Sequence, residues 1–160
     1  MINLPPGFDP VISQLHDRLE TLPHPWTFTG SLSMALQGMD LEIHDIDVQS
    51  DREGAYAIQA LFPEFIIRPV AFSGTERVRS HFGALEIAGV KVEIMGDMQG
   101  RPLEDDWIAP PFLPDLIHRV EYAGMRLPVL DLEYEYTAYA RMGRAAKAAR
   151  IRHFLDSQNQ

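Results

Sequence analysis

The order of apolar and polar positions divides the chain into short elements. Val11, Ile12, Leu15, Leu19 and Leu22 recur at helical spacing, with Asp9 placed to cap the helix they predict. Trp26 to Thr29 reads as a short strand ending at Gly30-Ser31, and Leu32 to Gln37 as a helix closed by Gly38. Asp45 to Ser50 alternates as a strand, and Asp51 then opens a helix from Arg52 to Leu61 that Pro63 stops. Glu64 to Val70 predicts a further strand. His81 to Ile87 and Val90 to Met95 flank Ala88-Gly89, the clearest hairpin signal in the chain. Leu116 to Tyr122 and Met125 to Val129 predict a second extended pair. Asp131 caps a helix running to Met142, Gly143 breaks it, and Arg144 to Asp156 forms the last helix.

These elements predict an α/β (α+β) fold in a single domain over residues 1–160. Its core, about residues 25–130, is a mixed sheet of about five strands flanked by helices, and a C-terminal helical pair spans about residues 131–156. The stretch RPLEDDWIAPPFLP reads as an irregular surface loop, because three of its prolines fall within five residues. Its acids Glu104, Asp105 and Asp106 read as solvated.

Composition narrows the chemistry by exclusion. The chain has no cysteine, which removes disulfide scaffolds, thiolate zinc sites and cysteine nucleophiles together. No apolar run approaches the ~18–20 residues of a membrane span. The opening MINLPPGFDP lacks the basic and apolar regions of a signal peptide, which predicts a cytoplasmic location. Fourteen basic residues against 23 acidic ones give a net charge of -9. That balance is unsuited to non-specific duplex binding, which depends on neutralising phosphates. It leaves room for carboxylates gathered around a divalent cation.

The period of two sorts the strand Asp45-Ile46-Asp47-Val48 into an apolar face and an acidic one. Two carboxylates side by side repel each other, and a hard cation such as Mg²⁺ relieves that by taking one or two carboxylates plus substrate phosphates. Two solvent-facing acids are the plain alternative. In Val90-Lys91-Val92-Glu93-Ile94, Lys91 and Glu93 share the polar face, so Glu93 is a third acid of this kind. A two-residue turn at Ala88-Gly89 would set Glu86 opposite Lys91 as an ion pair and Glu93 opposite Ala84, which offers no charge partner. Gly30-Ser31 sits where a strand meets a helix, a place where backbone can approach a phosphate, although Ser31 is also simply a good N-cap.

Other residues read as structural. His44 falls on the Ile46/Val48 face, which predicts a buried, hydrogen-bonded histidine. His81 with Arg77 and Arg79 reads as a surface cluster, with phosphate binding as the alternative, and Tyr134, Tyr136 and Tyr139 as packing of their helix against the sheet. Arg144 and Lys147 fall near the apolar side of the last helix, where they either point into a cleft or snorkel around the edge of the core.

In order and spacing, Gly30-Ser31, then Asp45-x-Asp47 fourteen residues after Ser31, then Glu93 resemble the nucleotidyltransferase superfamily with the DNA polymerase beta-like fold. The stretch TGSLSMALQGMDLEIHDIDVQ is especially similar to small bacterial members, including antibiotic-modifying adenylyltransferases and minimal nucleotidyltransferases. The C-terminal LPVLDLEYEYTAYARMGRAAKAARIRHFL looks like the strand and helical pair that often close such proteins. The resemblance implies an NTP, ATP by default, as substrate, with Gly30 and Ser31 holding its phosphates. It implies two Mg²⁺ ions on Asp45 and Asp47, with Glu93 completing an acidic triad where many members have Asp. It also implies a hydroxyl acceptor, either a small molecule or a protein. Arg144 and Lys147 are the candidate cationic helpers. The alternative is a non-catalytic nucleotide-binding or regulatory module, such as one part of a toxin–antitoxin pair.

Overall fold

A computed structural model describes residues 2–160. Helix α1 (Phe8–Leu19) precedes strand β1 (Trp26–Thr29), which runs directly into α2 (Gly30–Leu36). Strand β2 (Ile46–Ser50) leads to α3 (Arg52–Ala60), and β3 (Ile66–Gly74), β4 (Val78–Ile87) and β5 (Val90–Gly100) form a meander. The hairpin β6 (Ile117–Tyr122) and β7 (Met125–Leu130) is followed by α4 (Leu132–Arg141) and α5 (Ala145–Gln158).

All the strands belong to one seven-stranded sheet in the order β3-β4-β5-β2-β1-β7-β6. The sequence suggested about five. The extra pair arises because β7 lies parallel to β1 through the single register pair Phe28↔Val129, a long-range contact with no local sequence signature. The β4–β5 hairpin has the expected register, with Glu86 opposite Lys91 and Ala84 opposite Glu93. Among the described residues no ion pair joins Glu86 to Lys91.

One face of the sheet builds the main core. Ile46, Val48, Val92, Ile94, Phe28 and Val129 are buried there against Val11, Ile12 and Leu15 of α1 and Ile58 of α3. Burying a side chain of this size is worth roughly 1.5–3 kcal/mol. Slipping β2 or β5 by one residue would turn that whole set outward and drive Asp45, Asp47 or Glu93 into the core. The apolar pattern therefore fixes the register, and the register fixes the acidic face. A smaller cluster of Met34, Met39, Leu132 and Ile151 ties α4 and α5 to α2.

Several local expectations need correction. Helix α1 starts after Gly7 in a left-handed conformation, so Asp9 lies in its first turn and accepts a hydrogen bond from the Tyr122 hydroxyl at 2.6 Å. Thr29, not Ser31, stands at the N-cap of α2. A 3-10 turn over Pro63–Phe65 delays β3, which then runs on to Gly74. His44 is exposed, 3.4 Å from Glu42, because β2 begins at Ile46 and the alternation does not reach back to it. Tyr136 and Tyr139 pack on the α2/α5 cluster rather than on the sheet.

Candidate active site

On the face opposite the main core, strand pairing sets Thr29 beside Asp47 and Asp47 beside Glu93 across β1, β2 and β5. Neighbouring strands lie only about 4.8 Å apart. Asp45 stands just before β2, near enough for its charge to act on Asp47, so three carboxylates share a small area. Their crowding is visible in Asp47, whose carboxyl is pushed up to about 6 by burial first, then by the charges of Glu93 and Asp45. Lys147 and Lys91 oppose this only in part.

The junction of β1 and α2 presses against these acids. Thr29 is extended, and Gly30 then turns into the left-handed region at φ 66. A side chain there would be strained, and its Cβ would sit 2.7 Å from Asp47 Oδ2. Only glycine lets the chain turn this close to the carboxylate.

Glu135 anchors the same junction from α4, and the sequence reading missed it. It is 3% exposed, and its Oε1 accepts hydrogen bonds from Thr29 Oγ1 at 3.0 Å and Gly30 N at 3.1 Å. Among the described residues its Oε2 has no hydrogen-bond partner. Burial pushes its carboxyl up to about 7, against the lowering effect of the two donors and of Lys147. A signal existed: Leu132, Glu135 and Tyr139 recur at i, i+3 and i+7, which puts an acid on the inward face of a helix.

Thr29, Gly30, Asp47, Glu135, Tyr139 and Arg144 line a cleft of about 370 Å³. Glu93, beside Asp47 on the sheet, and Asp45, just before β2, do not contribute to that lining. Ser31 follows Gly30 in the first turn of α2. Arg144 stands 5.5 Å and Lys147 5.1 Å from the centre of the Tyr139 ring. The Lys147 ammonium is depressed by burial and by Arg144, and its field reaches Asp47 and Glu135. The two cations therefore border the acids. Arg77 is a further cation in the lining, and Gln49, two residues beyond Asp47 on the acidic face, is a further buried polar group.

Among the described residues no three carboxylate or imidazole groups converge into a ready-made metal cage. The donor chemistry still fits Mg²⁺. Adjacent carboxylates, one raised by burial and by its acidic neighbours, suit an ion that keeps open positions for phosphate oxygens.

A family model described as aminoglycoside-2''-adenylyltransferase matches residues 11–154. The chain belongs to this family. It is 47% identical to a Thermotoga maritima protein proposed to be a nucleotidyltransferase, covering 97% of this chain and 96% of that one at a TM-score of 0.84. The fold is also that of ANT(2")-Ia, solved with adenylyl-2"-tobramycin, at 14% identity and a TM-score of 0.52 over 94% of this chain and 98% of that one. No curated protein matches the chain. The assignment to the nucleotidyltransferase superfamily expected from Gly30-Ser31, Asp45-x-Asp47 and Glu93 is thereby established. Among the described residues no helix is long and apolar enough to cross a membrane.

Proposed function

We propose that this family member transfers a nucleoside monophosphate, from ATP by default, to a hydroxyl acceptor, and that it needs Mg²⁺. The observation that carries the reading is the row Thr29–Asp47–Glu93, with Gly30 folded onto Asp47 and cations at the rim of the cleft. Asp45 and Asp47 would hold the metal with the triphosphate, and Glu93 would complete the set. When bound, the metal supplies charge stabilisation for the phosphates and the departing pyrophosphate.

The chain's own residues account for the rest. Gly30 lets the β1–α2 turn close onto Asp47, and Ser31 offers a hydroxyl and an amide next to it. Its own N–H is occupied by Glu135, so Gly30 contributes shape rather than a donor. Arg144, Lys147 and Arg77 would neutralise the triphosphate at the rim. The acceptor oxygen attacks the α-phosphorus while the bond to the β-phosphate bridging oxygen breaks, and the hydroxyl proton passes to the Glu93 carboxylate. Such transfers depend mainly on positioning and charge stabilisation, which a compact acidic cleft can supply.

Asp47→Asn tests the reading directly. It keeps the side-chain volume and removes the charge, so the fold should persist while Mg²⁺-dependent ATP affinity drops. Calorimetry with ATP, with and without Mg²⁺, reads the effect, and unchanged metal-dependent affinity would refute the assignment. Pyrophosphate release across an acceptor panel then separates an enzyme from a module that binds without turnover.

Arg144→Met and Lys147→Met separate charge from packing, since methionine keeps much of the aliphatic stem. Each should weaken ATP binding about tenfold, the scale of a lost charged hydrogen bond. A variant that melts earlier yet binds ATP normally would show that its cation only covers the core edge.

A further inference from the structure

The cleft at Asp47 adjoins a larger cavity. Val78, Met98, Tyr134, Ala138 and Met142 line both, and the second space measures about 550 Å³. Its remaining walls are mostly apolar, including Ile108, Ala109, Pro111 and Leu116. Three charged side chains reach it, the carboxylates of Asp131 and Glu133, which already have partners, and the Arg141 guanidinium. Asp131 caps α4 through Tyr134 N at 2.9 Å and meets His118 at 2.8 Å. Glu133 is held by Arg152 through two contacts of 3.0 and 3.2 Å. The cations suited to phosphate, Arg77 and Arg144, belong to the acid end instead.

Gln49 lies at that acid end, opposite Met95 on β5. It is 2% exposed, and among the described residues its Oε1 has no hydrogen-bond partner. A buried acceptor left unpaired is costly, and a ligand hydroxyl would satisfy it.

We propose that the larger cavity holds the acceptor, and that the acceptor is a neutral hydroxyl compound with an apolar body, one hydroxyl of which donates to Gln49. This rests on the nucleotidyl-transfer reading and gives it a substrate class. It departs from the polycationic acceptor that the family description implies. A polycation entering this space would lose hydration against methionine, isoleucine, leucine and proline and would meet the Arg141 guanidinium, while Asp131 and Glu133 are already engaged by His118 and Arg152. Apolar bodies suit the site, because Met98 and Met142 are flexible enough to close around different shapes.

Methionine-methyl NMR tests this on the full chain with hexyl glucoside as the neutral amphipathic probe and tobramycin as the polycation. Hexyl glucoside at millimolar concentration should shift the Met98 and Met142 methyls saturably, and tobramycin should leave them in place. Thr137→Trp, placed to fill the cavity from α4, should weaken the glucoside at least about tenfold while Mg²⁺–ATP still binds. Saturable shifts from tobramycin alone, or none from the glucoside, would overturn the proposal even with ATP binding intact. Loss of ATP affinity in Thr137→Trp would also overturn it, since the cavity would then serve the nucleotide. Failure of the wild-type chain to bind Mg²⁺–ATP at all would instead strike the underlying nucleotidyl-transfer reading.

Discussion

Glu93→Gln should melt like the wild type and bind ATP with near-wild-type affinity, yet turn over at least about a hundredfold more slowly. The reason is positional. Asp47 on β2 and Asp45 just before it lie near the Gly30 turn, and in the proposed reading these two hold the metal–triphosphate complex. Glu93 comes from the next strand and faces Ala84 on its other side, where no charge competes for its carboxylate. It is therefore placed to take the hydroxyl proton or to stabilise charge that develops only in the transition state. A group acting only there lowers kcat without a matching loss of ground-state binding. General-base help contributes typically ~10²–10⁴-fold, which sets the scale. The competing account makes Glu93 a strand residue near Lys91, worth at most about 1 kcal/mol as an exposed pair. Glutamine keeps the shape and removes the basic oxygen, so steady-state rates of pyrophosphate release decide between them. Wild-type turnover in this variant would remove Glu93 from the catalytic set.

What could be read from the sequence was what local periodicity encodes. The acidic face followed from a period of two in β2 and β5, and the hairpin register from the turn at Ala88-Gly89. The Gly30 turn was marked, but not its closeness to Asp47, which depends on β1 pairing with β2 across seventeen intervening residues at the near end. The joining of β7 to β1 was hidden for the same reason. His44 was misplaced because alternation was extended beyond the true start of β2. Glu135 was missed because its role depends on the α4–α5 pair folding back over the β1–α2 junction, about a hundred residues away in sequence. Gln49 sat in plain view on the acidic face, but an amide gives no sign of being buried until the cleft above it is known.

Glu135→Gln should stabilise the metal-free protein at pH 8 and leave it nearly unchanged at pH 4.5. The Glu135 carboxyl rises from an ordinary 4.5 to about 7 on folding, chiefly because burial disfavours its charge. The folded chain therefore holds this proton more tightly than the unfolded chain. Below about pH 4.5 both states are protonated and the group makes no difference. Between 4.5 and 7 the unfolded chain releases the proton first, so stability falls as pH rises. Above about 7 the penalty is complete, on the order of 3 kcal/mol. Glutamine resembles the protonated form: its amide oxygen can accept from Thr29 and Gly30 while the amide NH₂ takes the place of Oε2. Asp47 titrates in both proteins, so the difference between them reports mainly on Glu135. Thermal melts in EDTA should show the gap opening through the window from 4.5 to 7 and then levelling, at roughly 6–12 °C for a chain of this size. A gap independent of pH would mean that Glu135 is already ionised in the folded protein, with Lys147 and the two donors outweighing burial. A variant less stable at every pH would make the carboxylate a structural anchor that an amide cannot replace.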